Sequence, residues 1–177
     1  MFLTELFGFF SMSALNTWGF MMAFFFNLFV FSLGNKRKTT LLLSSFCMLA
    51  SYTASDYFYT WLSIYSTTYL DWVLYDFFTI LSLICCYFLI RNTSPSFFYL
   101  IVGLSINMIY AGLMYIDVNL YKNNEHWFLW DAYSYSVFSI DLLMIVALIV
   151  DRDFLGLHKL KNKLFGLFKS SKLQHTI

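Results

Sequence analysis

The sequence predicts an all-α integral membrane protein: a bundle of five transmembrane helices with a short N-terminal interfacial segment and a basic amphipathic C-terminal helix. Three observations carry that prediction. Of the 177 residues, 60% are hydrophobic and 23% aromatic but only 12% charged, which leaves too little polar surface to cover a water-soluble globule of this size. Apolar stretches of spanning length recur along the chain, divided by short polar links. The basic residues are also distributed by side, because a five-span reading puts every one of the 11 Lys and Arg residues except Lys122 on the same face of the membrane.

Residues 2 to 33 form a nearly unbroken apolar run of about 48 Å if wholly helical, longer than a hydrocarbon core of about 30 Å needs. The polar cluster from Ser11 to Asn16 is the expected break. It leaves residues 2–10 as an interfacial helix and 16–33 as the first span, stopped by Gly34 and the run Asn35, Lys36, Arg37, Lys38. Further spans are read at 41–61, 72–90, 97–116 and 127–150. The only proline, Pro95, marks the turn between the third and fourth. Residues 1–150 thus make the polytopic domain, and 151–177 a cytoplasmic tail.

The positive-inside rule then places the N-terminus outside and the C-terminus in the cytoplasm, in a bacterial inner membrane. Tyr and Trp residues such as Trp72, Tyr75, Trp127, Trp130 and Tyr133 gather toward the proposed outer interface, where rings with one polar edge sit comfortably. No signal peptide is expected, since the first ten residues lack a basic start and a small-residue cleavage site.

The tail carries Leu157, Leu160 and Leu164 on one helical face, with Lys163 and Lys169 flanking it. That face suits the surface of a bilayer containing anionic lipids or, failing that, a soluble cytoplasmic partner; a strong apolar face with little arginine argues against nucleic acid. Cys47, Cys85 and Cys86 all fall inside apolar segments and are read as small buried hydrophobes, without metal-ligand spacing.

Each span hides polar residues at helical spacing. The third has Asp76 and Thr79 on one face, the fourth Asn107, Tyr110 and Asp117, and the fifth Asp131, Ser134 and Asp141; the second offers Tyr52 and Asp56, and the first Asn16 and Asn27. Polar groups in lipid turn toward one another, so these stripes mark the bundle interior. Asp56, Asp76, Asn107, Tyr110 and Asp141 are therefore the candidates for a buried polar network or ion path. No Lys or Arg lies within 41–90 or 97–121, so the acids must be satisfied by Ser, Thr, Tyr or Asn, or by water. Asp71, Asp117 and Asp131 are read as solvated caps near the surface.

A second cluster, Asp117, Glu125, His126 and Asp131, is a candidate polar site on the outer side. Nothing local makes it converge as a metal site, and no metal, cofactor or catalytic residue is assigned. The chain has no HExxH, glycine-rich phosphate loop or GxSxG.

The first functional reading is an anchoring or sensing subunit, oligomeric or part of a complex, that couples the membrane to a cytoplasmic partner. Two others stand behind it: an oligomeric ion or proton channel built on the intramembrane carboxylates, and an intramembrane enzyme acting on a lipid or quinone.

Overall fold

The computed structural model describes residues 12–34, 39–62, 68–90, 94–123, 125–152 and 156. In hydrocarbon every backbone polar group must be satisfied within the chain, and long helices do this locally. Among the described residues five helices follow one another: α1 (Met12–Ser32), α2 (Thr39–Leu62), α3 (Thr68–Ile90), α4 (Pro95–Tyr115) and α5 (Phe128–Val150), with a π-helical turn, Ile116–Leu120, prolonging α4.

Their ends have local causes. Gly34 follows α1 with a φ of 71°, a left-handed conformation that glycine adopts without strain, and its N–H reaches the Phe31 carbonyl at 3.1 Å. Pro95 is the first residue of α4, where its fixed φ favours the helix and its missing N–H leaves nothing unpaired. At the end of α5, Asp151 turns left-handed with a φ of 47°, and its N–H bonds the Ala147 carbonyl at 3.0 Å.

Neighbouring helices pack antiparallel, and the chain closes into a ring. Tyr52 of α2 meets Phe20 of α1, and Cys47 of α2 lies beside Cys86 of α3, their sulfurs 3.7 Å apart. Tyr87 of α3 meets Phe97 of α4, while Asn107 of α4 bonds Asp141 of α5. Closure comes from α5 against α1, running parallel. Asn27 donates to the Leu148 carbonyl at 3.1 Å, satisfying one of the carbonyls that a helix C-terminus leaves without an intrahelical partner.

Small residues permit the closest approaches. A Cβ on Gly103 of α4 would stand 2.6 Å from the Met144 sulfur of α5, so the absence of a side chain there sets the separation of those two helices.

The ring has two unlike halves. Toward the end that carries Asp151, the interior is a dry core of Phe20, Ala23, Met48, Leu83, Leu104, Met144 and Leu148, all of them buried. Toward the end that carries Asp117, the interior opens into a cavity lined by polar and aromatic side chains. The outside is largely apolar, with Trp18, Phe29, Phe78, Phe88 and Phe128 more than half exposed, the surface expected of a bundle whose solvent is lipid.

The membrane character read from composition holds, but the count of five spans does not. Among the described residues four helices are long and apolar enough to cross a membrane: Ala14–Ser32, Tyr69–Phe88, Pro95–Leu120 and Phe128–Val150. The helix expected as the second span, α2, has 24 residues but falls short in hydropathy. Ser44, Ser45, Ser51, Thr53, Ser55 and Asp56 dilute its leucines, and it sits in the ring between α1 and α3. The first and last described helices are both apolar span candidates and not interfacial or amphipathic ones. The interfacial segment expected at residues 2–10 and the amphipathic tail with Leu157, Leu160, Lys163, Leu164 and Lys169 lie outside the described residues.

Candidate functional site

Asp141 sits near the middle of α5 with 3% of its surface exposed. A buried carboxylate needs donors, and three other helices supply them. Tyr52 of α2 donates its hydroxyl to Oδ1 at 2.6 Å, Asn107 of α4 donates Nδ2 to the same oxygen at 2.8 Å, and Asn16 of α1 donates Nδ2 to Oδ2 at 2.6 Å. Both asparagines are themselves buried. The cluster ties α1, α2, α4 and α5 together at one level, with each helix contributing one polar side chain.

Above this level lies a cavity of about 470 Å³, to which α3 adds Trp72, Tyr75 and Asp76. All five helices therefore line one space. Asn16, Tyr52, Asn107 and Asp141 form its base, Ser55, Asp76 and Ser134 are further polar groups, and Phe138 and Tyr133 give it aromatic sides. The Tyr52 ring lies against Phe20 with centroids 4.3 Å apart, so the dry core begins directly beneath the cavity.

At the other end, aromatic rings reach across the ring of helices. Trp72 of α3 and Tyr133 of α5 stack with planes 7° apart and centroids at 6.1 Å, and Tyr69 packs edge-on against both. Aromatic residues read as headgroup anchors thus turn inward and wall the cavity.

Asp76 differs from Asp141. It has no hydrogen bond to a described residue, and it is only partly buried. Among the described residues the only Lys and Arg are Lys122 and Arg152, one at each end of the bundle. Two carboxylates therefore share a cavity to which no described lysine or arginine contributes. Orphan acceptors accompany them: the Oδ1 atoms of Asn16 and Asn107 are buried without a hydrogen-bond donor.

Of the residues singled out from the sequence, Asp76, Asn107 and Asp141 meet in this cavity. Tyr110 is partly buried one turn beyond Asn107, and at that level α4 offers Ala111 to the cavity instead. The side chain of Asp56 lies outside those described. Asn16 and Tyr52 stand on the polar stripes but were not among the candidates, and a stripe alone does not show which of its members reach a common point.

The outer-side cluster is divided. Asp117 is buried, contrary to its reading as a solvated cap, because the π-helical turn directs it against the start of α5. There it accepts from the Trp127 indole N–H at 2.9 Å, the Trp130 indole N–H at 3.3 Å and Asn123 Nδ2 at 3.3 Å. This is a structural clasp between α4 and α5. His126 and Asp131 form an exposed pair at 3.4 Å, and Glu125 is exposed beside them. Asp71 is also buried, in the first turn of α3. Among the described residues no group of His, Cys, Asp or Glu converges as metal ligands.

Fold and cavity together define a multi-span, all-helical membrane protein with a polar chamber in one half of its bundle. No protein family model matches the chain, and neither a curated protein nor a solved structure proved similar to it.

Proposed function

We propose that this protein is a membrane-embedded sensing subunit, which takes a small ligand into the chamber from the outer side and passes the effect of occupancy to its cytoplasmic end. The observation that carries this reading is the division of one bundle into a polar chamber and a dry core. A single chain built this way admits a solute halfway and stops it, which suits recognition better than passage. The chamber volume falls in the range of small-ligand sites, roughly 300–1,000 Å³.

The same sidedness argument orients it. Arg152 stands at the dry end, and the positive-inside rule favours the cytoplasmic face of a bacterial inner membrane for that end. α5 is the connecting element. Asp141 on its chamber face and Asp151 at its end are both held by other helices, the latter by Ser96 at 2.8 Å, so a ligand that re-aims Asp141 bears on the α4–α5 contact near the cytoplasmic surface. The basic tail then offers a route to anionic lipid or to a soluble partner, and oligomerisation belongs to the same proposal.

The test loads the chamber covalently. In a chain whose native cysteines are replaced by alanine, Ser55→Cys is modified with a small ethylammonium thiosulfonate in nanodiscs, and amide hydrogen exchange is followed over residues 144–152. Sensing predicts altered exchange there, and unchanged exchange contradicts it. Sealed vesicles carrying the unmodified protein should show no proton or potassium flux above protein-free vesicles. Flux lost in Asp141→Asn would replace sensing with conduction.

A further inference from the structure

We infer that the chamber is a binding site for a small organic ammonium ion, a primary amine with an apolar or aromatic body. The inference rests on the sensing proposal and names the chemistry of its ligand.

Three independent features of the chamber call for the same kind of molecule. The first is charge: Asp76 faces the space without a hydrogen bond to a described residue, and the carboxylate of Asp141 lies at its base, with no lysine or arginine on its walls. A buried carboxylate away from bulk water gains from a cation, and here the described residues of the lining supply none. The second is hydrogen bonding. Asn16 and Asn107 are 5% and 4% exposed, both line the chamber, and each keeps an amide oxygen without a donor. An ammonium group is donor-only, with three N–H bonds and no lone pair, and so complements the Asp76 carboxylate and these amide oxygens. A carboxylate or phosphate ligand would meet Asp76 and Asp141 with no lysine or arginine among the lining residues to offset the repulsion.

The third feature is shape. A dehydrated metal ion needs a few close oxygens and no more room than a water molecule, about 30 Å³. The chamber holds about 470 Å³, and Trp72 and Tyr133 present parallel rings on its upper side. Aromatic faces attract ammonium cations and accept hydrocarbon equally well, so the walls suit the body of an organic cation and have no purpose for a bare ion. Asp141 already receives three donors and Asp76 none from a described residue, which assigns the ion pair to Asp76 and leaves Asp141 to hold the asparagines in place.

The test uses 2-phenylethylammonium as probe, 2-phenylethanol as its neutral counterpart, and sodium chloride, each added to the full chain in nanodiscs while tryptophan emission and melting temperature are read. Saturable quenching and a raised melting temperature with the ammonium compound, both absent with the alcohol, are expected. Asp76→Asn should fold with an unchanged melting temperature and bind the ammonium compound about tenfold more weakly or worse, as loss of one partner of a desolvated ion pair requires. Equal binding of the alcohol overturns the ammonium assignment while leaving a ligand chamber intact. The same response to sodium ions reassigns the site to an inorganic cation and also overturns it. If neither organic probe binds, the ammonium inference fails, and the tethered-occupant experiment judges the sensing proposal separately.

Discussion

At Asp141, three hydrogen bonds from three helices end on one side chain, and each bond belongs to a different helix pair. Interhelical hydrogen bonds inside membranes contribute about 0.6 kcal/mol on average and up to about 1.7. Asp141→Ala removes the common acceptor and leaves Asn16, Tyr52 and Asn107 facing one another without it, so a loss of roughly 2 kcal/mol or more is expected in reversible unfolding in mixed micelles. Tyr52→Phe keeps the ring against Phe20 and removes one donor, and should cost about 1 kcal/mol on the same scale. If the two variants lose the same amount, Asp141 is not the hub described. The identity of the hub was only half legible in the sequence. Helical spacing placed Asp141, Asn107 and Asp76 on interior stripes, whereas Asn16 and Tyr52 required the relative height of the helices, a property of tertiary packing.

Among the elements, α4 and α5 form an antiparallel seam whose close approach falls at a glycine. Gly103 sits under Met144 and Ile140 with no room for a side chain, while Gly112, on the same helix, has nothing within 4 Å of its would-be Cβ. Gly103→Leu should therefore spread the seam and destabilise the bundle by about 1–3 kcal/mol, as overpacking generally does. Gly112→Ala should be neutral or stabilising by up to about 1 kcal/mol, from the higher helix propensity of alanine. Melting temperatures in detergent compare the two, and similar losses in both would contradict the packing described. The boundaries of these elements followed from punctuation that a sequence displays: Gly34, Pro95 and the polar links. The status of α2 did not. Its Leu41, Leu42 and Leu43 read as the start of a span, but the serines, threonines and aspartate that follow bring its hydropathy below that of its neighbours, and only its place between α1 and α3 accounts for a helix of that composition.

Across the whole molecule, a ring of helices shares one interior, a cavity with polar and aromatic lining in one half and a packed apolar core in the other. Composition reveals that a bilayer surrounds such a chain, since the outward aromatic and aliphatic side chains dominate its counts. It does not reveal the division, because chamber and core residues occupy opposite ends of each helix and the level at which one gives way to the other appears only once the helices are set side by side. Trp72 and Tyr133 illustrate the limit. Interfacial anchoring and a chamber wall demand the same residue type at nearly the same depth, and only their mutual stacking separates the two.

The division is tested most directly by thiol accessibility in sealed, oriented vesicles, using a chain with Cys47, Cys85 and Cys86 replaced by alanine. A cysteine at Ser55, in the chamber, should react with a membrane-impermeant thiol reagent added to the outer face and not with reagent on the cytoplasmic face, while a cysteine at Leu104, in the dry core, should resist both. Reaction of Leu104→Cys from either face, or protection of Ser55→Cys from both, would contradict a chamber that opens on one side and ends at Asp141.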